Sequence, residues 1–169
     1  STFQTQVDSA IQDLDTVSVN INYSNMSKSV LDQQFDLNIS DEMLSAMSDL
    51  FISLSGTELK ADQVNLYDFS GYVLQAGLST MVKRSDASHN EWIEKARNAN
   101  GKKVLTAPYS TYVYSKSARY PQWFISLYRS FTNQYGRGVG VIETAKQCKS
   151  IFKSIISYEK KNRGTAASV

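Results

Sequence analysis

Between two helical stretches lies VNLYDFSGYVLQAG, running from Val64 to Gly77. Two apolar runs flank Asp68-Phe69-Ser70-Gly71, and Asp and Gly tolerate the backbone angles of a tight turn. The segment therefore reads as a β-hairpin. A hairpin set among helical periodicities restricts the fold to an antiparallel sheet with helices packed against it, the α+β class.

The rest of the chain supplies the partners. Phe3, Val7, Ala10, Leu14, Val17, Ile21 and Ser24 step by 4, 3, 4, 3, 4, 3, a heptad stripe on a long helix. Such a helix either pairs with its copy in a dimer or covers one side of its own domain. Ser40-Asp41-Glu42 opens a second helix, with the acids placed at the positive end of its dipole. Met43, Leu44, Met47, Leu50, Phe51 and Leu54 form its inward stripe and Gly56 its stop.

After the hairpin, Thr80 to Asn90 is polar, and Glu91 to Asn100 reads as a short helix. Val104–Val113, Trp123–Thr132 and Gly138–Ala145 read as three further strands. Pro108 implies a bulge, an edge or a break in the first of them. From Thr144 a last helix turns Ala145, Cys148, Ile151, Phe152, Ile155 and Ile156 inward. Two strands, a helical segment and three strands make a five-stranded antiparallel sheet of PAS-like layout, with a long N-terminal helix and flanking helices.

Composition removes several chemistries. The chain of 169 residues holds one cysteine, Cys148, and one histidine, His89. A Cys/His zinc site would lack ligands, a histidine-based triad has no family motif around it, and no cofactor is expected. Cys148 falls on an apolar stripe and reads as a buried thiol. His89 lies in a polar loop and reads as solvated. Gly136-Arg-Gly-Val-Gly140 precedes a strand, whereas a dinucleotide loop follows one, so it reads as a hairpin turn. The net charge is +2 and the basic residues are scattered, which argues against a nucleic-acid face. No apolar run approaches the roughly twenty residues of a membrane-spanning helix. An amphipathic pattern already running at Phe3 and a polar trailing end give the expectation of a fragment of a longer protein.

Binding is the better-supported class. Aromatic residues concentrate after Gly101, and Tyr and Trp offer a flat apolar face with a hydrogen-bonding tip. Trp92, Tyr109, Tyr112, Trp123, Tyr128 and Arg129 are the candidate ligand-binding residues. Alternation along Trp123–Phe131 puts Trp123, Ile125, Leu127, Arg129 and Phe131 on one face and Phe124, Ser126, Tyr128 and Ser130 on the other. A buried Arg129 needs an acceptor. That acceptor is either a ligand acid or an internal carboxylate such as Glu143, unless the side chain is exposed near the strand end.

The order of short motifs resembles the Cache domains, the PAS-like extracytoplasmic sensors of bacteria. Val64-Asn-Leu-Tyr-Asp68 with Gly71-Tyr-Val-Leu74 is similar to their first hairpin. Glu91-Trp92-Ile-Glu-Lys-Ala96, Gly101 and Pro108-Tyr109 are similar to the helix and following strand, and Gly138-Val-Gly-Val-Ile-Glu143 to the last strand. The amino-acid-sensing Cache signature of Tyr, Arg, Trp, Tyr and Asp is not matched; Arg119-Tyr120-Pro121-Gln122-Trp123 has some of the residue types in another arrangement.

The resemblance implies residues 1–38 as a helical arm, 39–157 as the sensor module and 158–169 as a tail toward a membrane-proximal region. It implies a non-enzymatic, extracytoplasmic ligand-sensing domain of a membrane-anchored sensor histidine kinase, with a chemoreceptor ectodomain as the alternative. The implied partner is a small-molecule ligand; a further alternative is a surface protein-interaction module that senses through a partner such as a solute-binding protein, and the heptad stripe leaves a homodimer through the N-terminal helix open.

Overall fold

The structure is a computed structural model that describes residues 2–24, 35–39, 41–55, 60–112, 120–151 and 163. Helix α1 is Thr2–Asn22 and α2 is Asp41–Ser55, preceded by a 3-10 turn at Leu37–Ile39. Strands β1 (Gln63–Asp68), β2 (Tyr72–Gly77) and β3 (Met81–Arg84) lead to a 3-10 turn at Ala87–His89 and to α3 (Asn90–Asn98). Strands β4 (Val104–Leu105), β5 (Tyr109–Thr111), β6 (Gln122–Thr132) and β7 (Gly138–Gln147) follow.

All pairings are antiparallel, in the order β3-β2-β1-β7-β6-β4, with β5 also on β6. The first and last strands, β1 and β7, thus meet at the middle of the sheet, buried on both faces. The α+β, PAS-like expectation holds, with seven strands among the described residues where five were expected. Two differences account for it. Pro108 has no N–H to give a ladder, and the expected strand from Val104 breaks there into β4 and β5. β3 lies in the stretch read as polar; as an edge strand it pairs through its backbone and shows no buried residue, so its sequence carries no apolar alternation. β7 also outruns its expected end at Ala145, because the long β6 pairs with it as far as Gln147, and helix begins only at Cys148. Ser40, Gly56, Phe152, Ile155 and Ile156, and the side chains of Met43, Met47, Leu50 and Leu54, lie outside the described residues.

The opening hairpin is held by Asp68. Its Oδ1 accepts from the backbone N–H of Ser70 and of Tyr72, each at 2.9 Å, and its Oδ2 from that of Leu37 at 2.9 Å. The turn closes at Gly71, whose φ of +94° favours glycine. Gly140 serves a different need: a Cβ there would strike the carbonyl oxygen of Tyr67 on the paired strand.

The two faces of the sheet differ. On one, Val64, Leu66, Leu74, Ala76, Leu127, Phe131 and Ile142 form a continuous core with Leu14, Val17 and Ile21 of α1, and Leu44 and Phe51 of α2 pack against it. At about 25 cal/mol per Å2 of apolar surface removed from water, this face holds most of the hydrophobic stabilisation. On the other face, Ile93 and Ala96 of α3 pack on Tyr67, Val73, Tyr128 and Val141.

Polar contacts pin α1 along its length. Thr144 Oγ1 donates to the Leu14 carbonyl at 3.1 Å, and the Thr132 N–H to Asn22 Oδ1 at 2.9 Å. Lys146 pairs with Asp13 at 3.3 Å. No helix among the described residues is long and apolar enough to cross a membrane.

Candidate functional site

Alternation along the strands places a transverse row of polar side chains beneath α3. The registers put Gln75 beside Asn65, Asn65 beside Glu143, and Glu143 beside Tyr128, on β2, β1, β7 and β6 in turn. All four are buried. A row of buried polar groups in the centre of a sheet must be internally hydrogen-bonded.

Glu143 is its centre. Its Oε1 accepts from Asn65 Nδ2 at 2.8 Å and Tyr67 Oη at 2.7 Å, and its Oε2 from Ser126 Oγ at 2.6 Å, with Tyr109 Oη 3.3 Å away. A hydroxyl has one proton, and that of Ser126 goes to Glu143. The 2.6 Å contact between Tyr109 and Ser126 therefore has Tyr109 as donor. Glu143 makes no ion pair with a described residue. Gln63 steadies the row from the side, donating through Nε2 to Asn65 Oδ1 at 2.8 Å and to the Ser79 carbonyl at 2.9 Å.

Aromatic rings wall the cluster. Trp92 stacks on Tyr128 with centroids 6.0 Å apart and planes 15° apart, and Tyr109 stacks on Phe124 at 6.2 Å. Lys95 sits 4.4 Å over the Trp92 ring. His89 is half-buried, with Nδ1 3.0 Å from Tyr128 Oη and 3.1 Å from Tyr67 Oη. The solvated loop histidine expected from its polar neighbours is thus corrected. The 3-10 turn it ends is capped by Asp86, whose Oδ1 accepts the Ser88 N–H at 3.0 Å, and this geometry carries the ring onto the sheet.

Of the six candidate residues, the fold gathers Trp92, Tyr109 and Tyr128 into this cluster. Tyr112 stands 59% exposed at the end of β5. Trp123 stands 56% exposed, on the other face of β6 from Tyr128. It lines a cleft of about 330 Å3 with Pro108, Pro121, Gln122, Cys148 and Lys149.

Arg129 also faces away. It ion-pairs with Asp15 and donates to the Gly101 carbonyl and, at 3.1 Å, to Ser18 Oγ. An internal acceptor is what the guanidinium found, but Asp15 replaces the Glu143 suggested by the sequence. The register explains it: Glu143 lies beside Tyr128, so Arg129 lies beside Ile142 on the α1 face. Cys148 is buried as expected, and burial pushes its thiol up, away from the reactive thiolate.

Asn65, Tyr67, Gln75, Ser126 and Glu143 were not singled out as binding residues by the sequence. The available signal was a polar residue at every second position of strands that are otherwise apolar and central. A strand covered on both faces is expected to be apolar throughout, so polar residues there mark a face with another use. Chemically, the arrangement is a buried carboxyl group encircled by neutral hydrogen-bond donors and bordered by aromatic faces. No group of residues that would hold a metal ion occurs among the described residues.

No protein-family model matches the chain, and no curated protein does. Solved structures do. The periplasmic sensory domain of the Campylobacter jejuni chemoreceptor Tlp1 matches with a TM-score of 0.61 at 12% identity, over 93% of this chain and 61% of that one. The sensory domain of the Campylobacter jejuni chemoreceptor Tlp3 matches with a TM-score of 0.55 at 17% identity, over 89% and 62%. The ligand-binding domain of the Pseudomonas aeruginosa amino-acid chemoreceptor PctC, in complex with GABA, matches with a TM-score of 0.55 at 12% identity, over 89% and 57%. The chain thus spans about three fifths of the length of each. Its fold is that of the Cache-type periplasmic sensory domains of chemoreceptors.

Proposed function

We propose that this chain is an extracytoplasmic ligand-sensing domain of a membrane-anchored sensor histidine kinase, acting by conformational change rather than catalysis. The observation that carries the sensing part is Glu143: a fully buried carboxyl group with three neutral donors and no ion pair to a described residue. Burying such a group is costly, and its hydrogen bonds offset that cost. A carboxyl group without a basic partner favours a small polar ligand with a hydrogen-bond-donating nitrogen, bordered by Trp92, Tyr109 and Tyr128. The fold supports the same reading, since the Tlp3 domain has been solved with isoleucine bound and the PctC domain with GABA.

The kinase output rests on a resemblance of the sequence to the ectodomains of sensor histidine kinases, and the chemoreceptor output fits the structural neighbours equally. The coding sequence surrounding this chain discriminates between them.

Two strands provide a route for the signal. On β6, Tyr128 faces the cluster and the next residue, Arg129, holds α1 through Asp15. On β7, Glu143 faces the cluster and the next residue, Thr144, holds α1 at Leu14. A ligand that favours one arrangement of these strands thereby biases the position of α1.

The test is a thermal-shift screen of this chain against amino acids, amines, sugars and organic acids. A ligand at a hundred times its dissociation constant adds about 2.7 kcal/mol, a rise of several degrees. Glu143→Gln abolishes that rise if the site is correct. Silence over the whole panel overturns direct sensing in favour of a solute-binding protein partner.

A further inference from the structure

The histidine has a job in this site that its position at the start of α3 conceals. His89 occupies the N-cap position yet makes no capping bond with its side chain. Instead its Nδ1 sits between two phenols, 3.1 Å from Tyr67 Oη and 3.0 Å from Tyr128 Oη.

Proton counting decides what that nitrogen carries. Tyr67 has one hydroxyl proton, and Glu143 takes it across 2.7 Å. The Tyr67 oxygen therefore meets Nδ1 with lone pairs alone. If Nδ1 were bare, two lone pairs would face each other across this contact, and only the Tyr128 hydroxyl would bond to the ring. If Nδ1 carries the proton, it donates to the Tyr67 oxygen, with the Tyr128 oxygen as second acceptor, and both contacts are favourable. The two contacts to the phenols are both made by Nδ1, so the tautomer is decided at that nitrogen.

We propose that His89 is a positioning residue of the ligand site. It is held in the Nδ1–H tautomer, against the preference of a free histidine side chain for Nε2–H, and it fixes the Tyr67 hydroxyl on Glu143. The relay runs from His89 Nδ1–H to Tyr67 Oη and from Tyr67 O–H to Glu143 Oε1. It sets which way the Tyr67 dipole points in the row, and it leaves Nε2 as an acceptor for a ligand N–H or O–H. The positioning role rests on the reading of the Glu143 cluster as the ligand site; the tautomer does not.

The experiment needs no ligand. His89 is the only histidine, so a long-range 1H–15N spectrum of the 15N-labelled chain shows one imidazole. It is recorded near pH 8, above the ordinary imidazole range. The expected result is Nδ1 as a protonated, pyrrole-type nitrogen and Nε2 as a bare, pyridine-type one. The reverse assignment in the wild-type chain overturns the proposal without any variant.

Glu143→Gln then tests the relay. The amide competes poorly for the Tyr67 proton, which becomes free to turn to Nδ1, and the tautomer population moves toward Nε2–H. Tyr67→Phe removes the acceptor and moves it the same way. A merely structural histidine would keep its tautomer in both folded variants, and that outcome counts against the relay. Failure to find a ligand would leave the spectrum unchanged, so the two readings fail separately.

Discussion

One sheet presents two faces built on different principles. Toward α1 and α2 the strands give Leu66, Leu74, Leu127 and Ile142, a core whose members are interchangeable in kind. Toward α3 the neighbouring residues of the same strands give Asn65, Gln75, Tyr128 and Glu143. The first face gains from area, which is roughly additive and tolerant of detail. The second depends on each donor meeting its acceptor, which is intolerant of single changes. The contrast fits the proposed sensing role, in which one face keeps the sheet folded and the other answers to a ligand.

The largest expected effect is on the apolar face. Leu127→Ala removes a fully buried side chain next to Phe131 and Ile142, and costs about 3 kcal/mol. For a chain of this size that lowers the melting temperature by roughly 6–12 °C. Ligand stabilisation, measured as the difference in melting temperature with and without ligand, is expected to persist in this variant. Its loss would mean that the faces are not separable.

Next comes the tether between the sheet and α1. Arg129→Met leaves Asp15 without its guanidinium and costs about 2 kcal/mol, less than a fully buried pair because both partners keep some water. Amide exchange in α1 around Asp15 accelerates, while the Glu143 cluster stays intact. If ligand binding still occurs but no longer slows exchange in α1, the tether is the link between the two faces. Unchanged protection of α1 on binding would remove Arg129 from that role.

Much of the apolar face was legible in the sequence. The stripe through Leu14, Val17 and Ile21 and the alternation through Leu127 and Phe131 are periodic signals, and each was placed on the element it forms. The polar face was legible only in part. Trp92, Tyr109 and Tyr128 were picked out by residue type, yet residue type also picked out Tyr112 and Trp123, which the fold leaves exposed. What separates them is the strand register, set by pairings between residues far apart in sequence, such as Tyr128 with Glu143. For the same reason Arg129 was given the wrong carboxylate. Asp15 lies on a helix whose docking on β6 no local pattern states. His89 was misjudged because its loop is polar, although a single capped turn suffices to carry its ring to the sheet.

On the polar face, Glu143→Gln is expected to cost little stability, about 1 kcal/mol, since the amide keeps one acceptor and turns one donor toward groups that are donors themselves. Ligand stabilisation is lost altogether. A stability loss as large as that of Leu127→Ala would show that the cluster is a folding element, and the division between the two faces would fall.

The smallest effect concerns the turn that delivers His89 to that face. The backbone N–H of Ser88 holds the Asp86 carboxyl below the usual carboxylate range against an opposing desolvation, with smaller electrostatic contributions from His89 and Lys83. The ionised form is therefore favoured by folding. Its contribution is fully present at neutral pH, where the unfolded chain is ionised too, and is lost as pH falls through the lowered folded value. Asp86→Ala should thus be slightly less stable than the wild type at pH 7, by urea denaturation midpoint, and the two should converge in acid. Asp86→Asn keeps the acceptor for Ser88 without the charge, so it separates the hydrogen bond from the electrostatic part. A difference between wild type and Asp86→Ala that survives in acid would assign the turn's stability to something other than this carboxylate. The polar face would then depend less on the loop that positions its histidine than the geometry implies.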